Sequence, residues 1–160
     1  MGSNITKVKK ALLALADYVD SGANGLVGDA MVSALNTARG LMKRRIFNLG
    51  LDAEGNLLGK YHSRAYARVR ISIGRQIAKK DLELYGGLKS SIETVKQDDK
   101  HVIIAFNNDL NTVKARGQEE QIAKLRGGTD PAPIFLLSEE EFEHMKVEFR
   151  RLIKQIITIA

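Results

Sequence analysis

The chain has 160 residues, 44% of them hydrophobic and 28% charged, with a net charge of +6. This is the size and composition of one folded domain that buries about two-thirds of its unfolded surface, which argues against a disordered chain. No apolar run approaches the roughly 20 residues that a bilayer span requires, and the absence of cysteine excludes a disulfide framework or a thiolate metal site and suits a reducing cytoplasm.

The first predicted element is a helix over residues 4–20, where Ile5, Val8, Leu12, Leu15 and Val19 fall on one face and Ser3 or Asn4 caps the start. Lys7, Lys9 and Lys10 give this stretch the outline of a signal peptide. Asp17 and Asp20 and the lack of a small-residue cleavage site speak against one. Ser21 to Gly25 breaks the helix, and Asp29 opens a second one reaching Phe47, with Met31, Leu35, Ala38, Met42 and Ile46 as its stripe. The two would form a helical hairpin over residues 1–48.

Residues 49–60 form a loop by composition, with Gly50, Gly55 and Gly59 beside Asp52 and Asn56. It lacks the alternating oxygen ligands and terminal Glu of an EF-hand. Residues 61–137 are expected to hold the sheet. Ala67, Val69, Ile71 and Ile73 alternate with Tyr66, Arg68, Arg70 and Ser72, a strand-like pattern, and helix is an alternative around Arg75–Leu84. Leu88–Val95 and His101–Phe106 read as two strands of a hairpin turning at Gln97–Lys100. A polar helix is expected over 110–126, anchored by Leu110, Val113, Ile122 and Leu125, then a loop over Gly127–Pro133 and a short extended piece at Ile134–Leu137. Ser138 with Glu141 makes a capping box, and Phe142, Met145, Phe149, Leu152, Ile156 and Ile159 continue a helical stripe through residues 138–158. The expected fold is therefore one α+β domain: an antiparallel sheet packed against helices, with an N-terminal helical hairpin and a long C-terminal helix.

Charge is uneven. Residues 60–80 contain Lys60, Arg64, Arg68, Arg70, Arg75, Lys79 and Lys80 and no acid. Such a segment can meet phosphate or an acidic partner surface, or simply be a solvated face. Catalytic motifs are missing. Gly59-Lys60 is followed by Tyr61, and Gly86-Gly87 by Leu88, so neither is a phosphate-binding loop. His62, His101 and His144 are scattered, and His144 between Glu140 and Glu148 reads as a charge ladder rather than a metal site. Nothing marks a serine as a nucleophile. The chain is therefore expected to be neither an enzyme nor a carrier of a cofactor or metal. A helix-turn-helix in the first 50 residues fits poorly, because Arg39, Lys43, Arg44 and Arg45 fall at the end of the second helix rather than its start.

Two stretches carry a resemblance. The run Asp81-Leu82, Leu84, Gly86, Leu88 and Ser91 resembles the "Asp-Leu-x-Leu-Thr-Gly-x-Leu-x-x-Ser" segment of phage virion-morphogenesis and tail-completion proteins, with Tyr85 in place of Thr. Pro131-Ala132-Pro133-Ile134-Phe135-Leu136-Leu137-Ser138-Glu139-Glu140-Glu141 is similar to that family's "Pro-Ala-Arg-x-Phe-Leu-x-Leu-Ser-x-Glu" segment, with Pro133 in place of Arg. Phe47, Asp52, Gly55 and Gly59 resemble its upstream loop, whereas the family's "His-Gln-x-Gly" string has only Lys114-Ala115-Arg116-Gly117-Gln118 in its place. The resemblance covers about residues 40–153. It implies a structural subunit of the virion, assembled in the bacterial host cytoplasm and acting at the neck or tail end in tail completion, tail termination or head–tail joining. Its partners would be other copies of itself in a ring, six being one candidate number, and connector, neck or tail-tube proteins, with no membrane. The basic segment would then line a DNA channel or face an acidic neighbour. Charge reversal at Arg64, Arg68 and Arg70 would block assembly and leave the monomer folded. The alternative is a basic nucleic-acid-binding accessory protein.

Overall fold

A computed structural model describes residues 24–83, 85–98 and 100–159. The helix expected at 4–20, and with it the hairpin, lies outside the described residues. The remainder is α+β. Helix α1, Asn24–Lys43, runs directly into a π-helical turn, Arg44–Leu49. Helix α2 is Arg64–Ser72, α3 is a single turn at Gly87–Ser90, α4 is Asp109–Leu125 and α5 is Glu139–Ile159. Strands β1, Ile92–Lys96, and β2, Val102–Phe106, pair antiparallel with Ile92 opposite Phe106 and Lys96 opposite Val102.

Helix α1 packs along α5 and against both strands. Ala30, Ala34 and Ala38 are buried at four-residue spacing, a row of small side chains on one face of α1 that lets its packing partners approach closely. The π turn then buries three successive residues, Arg45, Ile46 and Phe47. An α-helix would spread these over more than half its circumference; the wider turn gathers them inward. Gly50 ends it in the left-handed region at φ 70°, donating its N–H to Ile46 O. A Cβ there would sit 2.7 Å from the Lys80 carbonyl oxygen, so both conformation and space demand glycine.

The core joins Met42, Ile46 and Phe47 to Leu58, Ile92, Ile122, Ala132 and Ile134, with Leu82, Leu88, Ile104, Phe106, Phe135 and Leu137 packed around it. Each large aliphatic side chain fully buried here contributes about 1.5–3 kcal/mol. Phe106 and Phe135 meet edge to face at 5.2 Å between centroids, a favoured aromatic geometry.

Several expectations are corrected. Residues 64–72 are helix, not strand: Ser63 caps α2 by accepting the Tyr66 N–H, and helical spacing turns Tyr66 and Arg70 inward together. A strand would have put Arg68 beside Arg70 on one face. No helix forms over 75–83. Residues 88–90 belong to the α3 turn, so β1 starts only at Ile92, and the sheet is a two-stranded ribbon rather than a layer spanning 61–137. Ile134–Leu137 pairs with no strand; the carbonyls of Ile134 and Leu136 accept hydrogen bonds from the Arg45 side chain instead. The capping box of α5 is present: Glu141 N–H donates to Ser138 Oγ, and Ser138 N–H donates to the Glu141 carboxylate.

Candidate functional site

The seven basic residues of 60–80 do not form one surface. Arg70 is wholly buried. Its Nη2 reaches both oxygens of Asp81 at 2.9 Å, Nε donates to Gln76 O and Nη1 to Glu83 O. The guanidinium lies 4.3 Å from the Tyr61 ring centroid, a stacked cation–π contact. Tyr61 completes the knot, its hydroxyl donating to Asp81 Oδ1 and accepting the Asp81 N–H. Burial pushes the Tyr61 phenol up, so it keeps its proton. Arg70 therefore faces neither DNA nor a neighbour, and reversing its charge would unfold this region.

Arg75 pairs with Glu83 at 3.3 Å, and Lys79 donates to the Asn48 carbonyl. Both are consumed in holding the 75–83 loop. Lys60, Arg64 and Arg68 are exposed and make no hydrogen bond or ion pair among the described residues.

Lys80 is different. It is 7% exposed, and its ammonium makes one hydrogen bond, to Gln121 Oε1 at 3.0 Å. A buried lysine normally has a carboxylate partner; this one has a neutral amide. Burial alone pushes its pKa below the usual lysine range. Lys80 lines a groove of about 690 Å³ between the 60–66 segment, residues 85–88 and α4. The wall on α4 is Asn111, Lys114, Gln118, Gln121 and Leu125, a stripe at helical spacing. Lys60, His62, Tyr61, Tyr66 and Tyr85 complete the polar lining, and it contains no Asp or Glu. Only Lys60 and Lys80 in this lining belong to the expected basic segment. The sequence reading missed the α4 wall, because a polar stripe on a helix reads as a solvated face.

Two further ion pairs fix the frame, one buried on both sides and one between a buried aspartate and an exposed arginine. Arg45 donates from Nε to Glu141 at 2.7 Å and also reaches the carbonyls of Leu51, Ile134 and Leu136, tying the π turn to the first turn of α5. Asp52, fully buried, accepts from the N–H groups of Glu54 and Asn56 and from Arg126 at 2.6 Å. Burial raises the Asp52 pKa, but the bonds from Arg126 and Asn56 outweigh it and hold the carboxyl below its ordinary value. Its oxygens are thus taken by protein donors.

The motif positions are structural. Asp81 holds Arg70. Leu82 adopts a positive φ of 54° and packs on the core, while Gly86, at φ 80°, caps α3. Leu88 packs on the core, and buried Ser91 donates to Leu88 O. Phe135 packs on Phe106 and Ser138 caps α5. Pro131 and Leu136 are exposed, Leu136 offering only its carbonyl to Arg45.

Among the described residues no three His, Asp or Glu side chains gather as a metal site. His144 is exposed, and the Glu148 carboxylate beside it is held by Arg151 at 2.6 Å. No helix among the described residues is long and apolar enough to cross a membrane. Compared with family models, with curated proteins and with solved structures, the chain matches none.

Proposed function

We propose that this chain is a structural protein of a bacteriophage particle, working at the neck or tail end by ring-like association rather than by turnover. Its contacts would be other copies of itself and connector, neck or tail-tube proteins. The observation that carries the reading is the pair of motif segments, Asp81–Ser91 and Pro131–Glu141, together with the duties their residues perform. Asp81 anchors Arg70, Gly86 permits the α3 turn, and Ser138 and Glu141 cap α5 while Glu141 holds Arg45. Residues with such duties specify a shape, as a subunit without chemistry requires.

Exposed apolar surface supports this reading. Helix α2 is held chiefly through Arg70 and leaves Val69, Ile71, Ile73 and Ile77 between 40% and 59% exposed around its end. Each strand of the ribbon also has one edge without a strand partner among the described residues. Exposed apolar side chains and open edges are what subunit contacts consume. Several small interfaces acting together hold a ring that no single one would. The test is negative-stain imaging of lysates of the carrier phage with this reading frame deleted. Separate filled heads and tails, or tails of irregular length, are expected. Intact infectious particles would refute the assignment.

A further inference from the structure

A buried ammonium without a counter-charge is costly, by several kcal/mol for a fully desolvated ion. Lys80 stands in that position, yet two of its three N–H donors have no acceptor among the described residues and it borders open space. The surrounding groove adds Lys60, Lys114 and His62 and not one carboxylate. Its neutral polar groups are Asn111, Gln118 and Gln121, and it collects three of the four tyrosines of the chain, Tyr85 being 77% exposed at its margin. Tyr61 is covered by Arg70 and by Tyr66, so the open ring is Tyr85; cations beside an open aromatic ring suit a single strand, with phosphates on the lysines and a base stacked on the ring. An acidic peptide would use the cations and leave Tyr85 idle.

We propose that the groove between the 60–66 segment, Tyr85–Leu88 and α4 binds single-stranded nucleic acid, with a phosphodiester seated on Lys80 and Lys114 and a base stacked on Tyr85. An anion there supplies the counter-charge that Lys80 lacks. Strand binding stands apart from the particle role, because it is measured on the isolated protein.

The experiment is fluorescence anisotropy of a labelled oligothymidylate of about 12 nucleotides, titrated with the full chain from about 50 mM to about 200 mM salt. Saturable binding is expected. Lys80→Met and Lys114→Gln should each weaken it at least about fivefold and each lower the salt slope by about 0.7 to 1. Tyr85→Ala should weaken it about tenfold with an unchanged salt slope. Lys154→Gln, on α5, should leave it unaltered. Lys114 is exposed on α4, so its variant tests the groove even if Lys80→Met alters folding. Four results would overturn the proposal: no binding, an equal loss with Lys154→Gln, polyglutamate or inorganic phosphate competing as well as the oligonucleotide, or preference for a duplex.

Discussion

Replacing Arg70 by Met removes a charge that has no exposure to water and leaves its partners behind. Asp81, itself 6% exposed, loses its ion-pair partner, and the carbonyls of Gln76 and Glu83 lose their donor. Counting the four N–H contacts of the guanidinium singly would overstate the loss, because burying that cation also carries a desolvation cost. Removing one member of a buried pair costs about 3–5 kcal/mol. For a chain of this size each kcal/mol moves the thermal midpoint by about 2–4 °C, so Arg70→Met should melt about 6–20 °C lower. The pair is isolated by a double-mutant cycle in urea. Arg70→Met with Asp81→Leu removes both charges, and should be less destabilised than the sum of the single variants by about 2 kcal/mol. A loss below about 1 kcal/mol for Arg70→Met, or additive single variants, would refute the view that this ion pair holds α2 and the 75–83 loop in place.

Glu141→Gln leaves the buried Arg45 guanidinium without its anion and should cost about 3 kcal/mol or more by urea titration; Ser138→Ala, which removes only the cap oxygen, should cost about 1 kcal/mol. Gly50→Ala meets both a positive φ and the Lys80 carbonyl and should cost more than about 2 kcal/mol; a neutral result would mean that the backbone shifts freely there. The depressed pKa of Asp52 means that the unfolded chain binds its proton more readily. The stabilisation is complete above the unfolded value of 3.8 and is lost as pH falls through the lower folded value. Acid titration of Asp52→Asn should lack that part of the transition. Lys80 has the opposite charge and the same sign of slope. With its folded pKa lowered from 10.5, the folded state sheds the proton first, and stability rises with pH between the two values. Lys80→Met should therefore be more stable than the parent near neutrality, the difference shrinking toward pH 10.5; a less stable variant at all pH values would contradict an uncompensated ammonium.

Local patterns were legible in the sequence, and distant pairings were not. The capping box at Ser138–Glu141, the hairpin around Gln97–Lys100 and the polar helix α4 depend on neighbours within a few residues, and each is present close to its expected place. The 64–72 segment failed because alternation of β-branched and basic residues satisfies a strand pattern equally well, and the deciding fact, Arg70 turning in to meet Asp81, is tertiary. Arg45 with Glu141 and Asp52 with Arg126 are 96 and 74 residues apart, and no spacing rule connects them. The basic run 60–80 was visible as charge, but charge does not reveal burial. Its members divide among a core ion pair, loop braces, open surface and one wall of a groove whose other wall is on α4.

The Arg45–Glu141 contact also orders events in time. Its acceptor lies 96 residues further along the chain, so during synthesis the π turn and α1 emerge well before the helix that receives them. Docking of α5 therefore waits until the segment carrying Glu141 has left the ribosome. A product truncated before Glu141 would keep a cationic guanidinium among apolar neighbours with nothing to neutralise it, and would be left to proteolysis rather than compete with full-length copies.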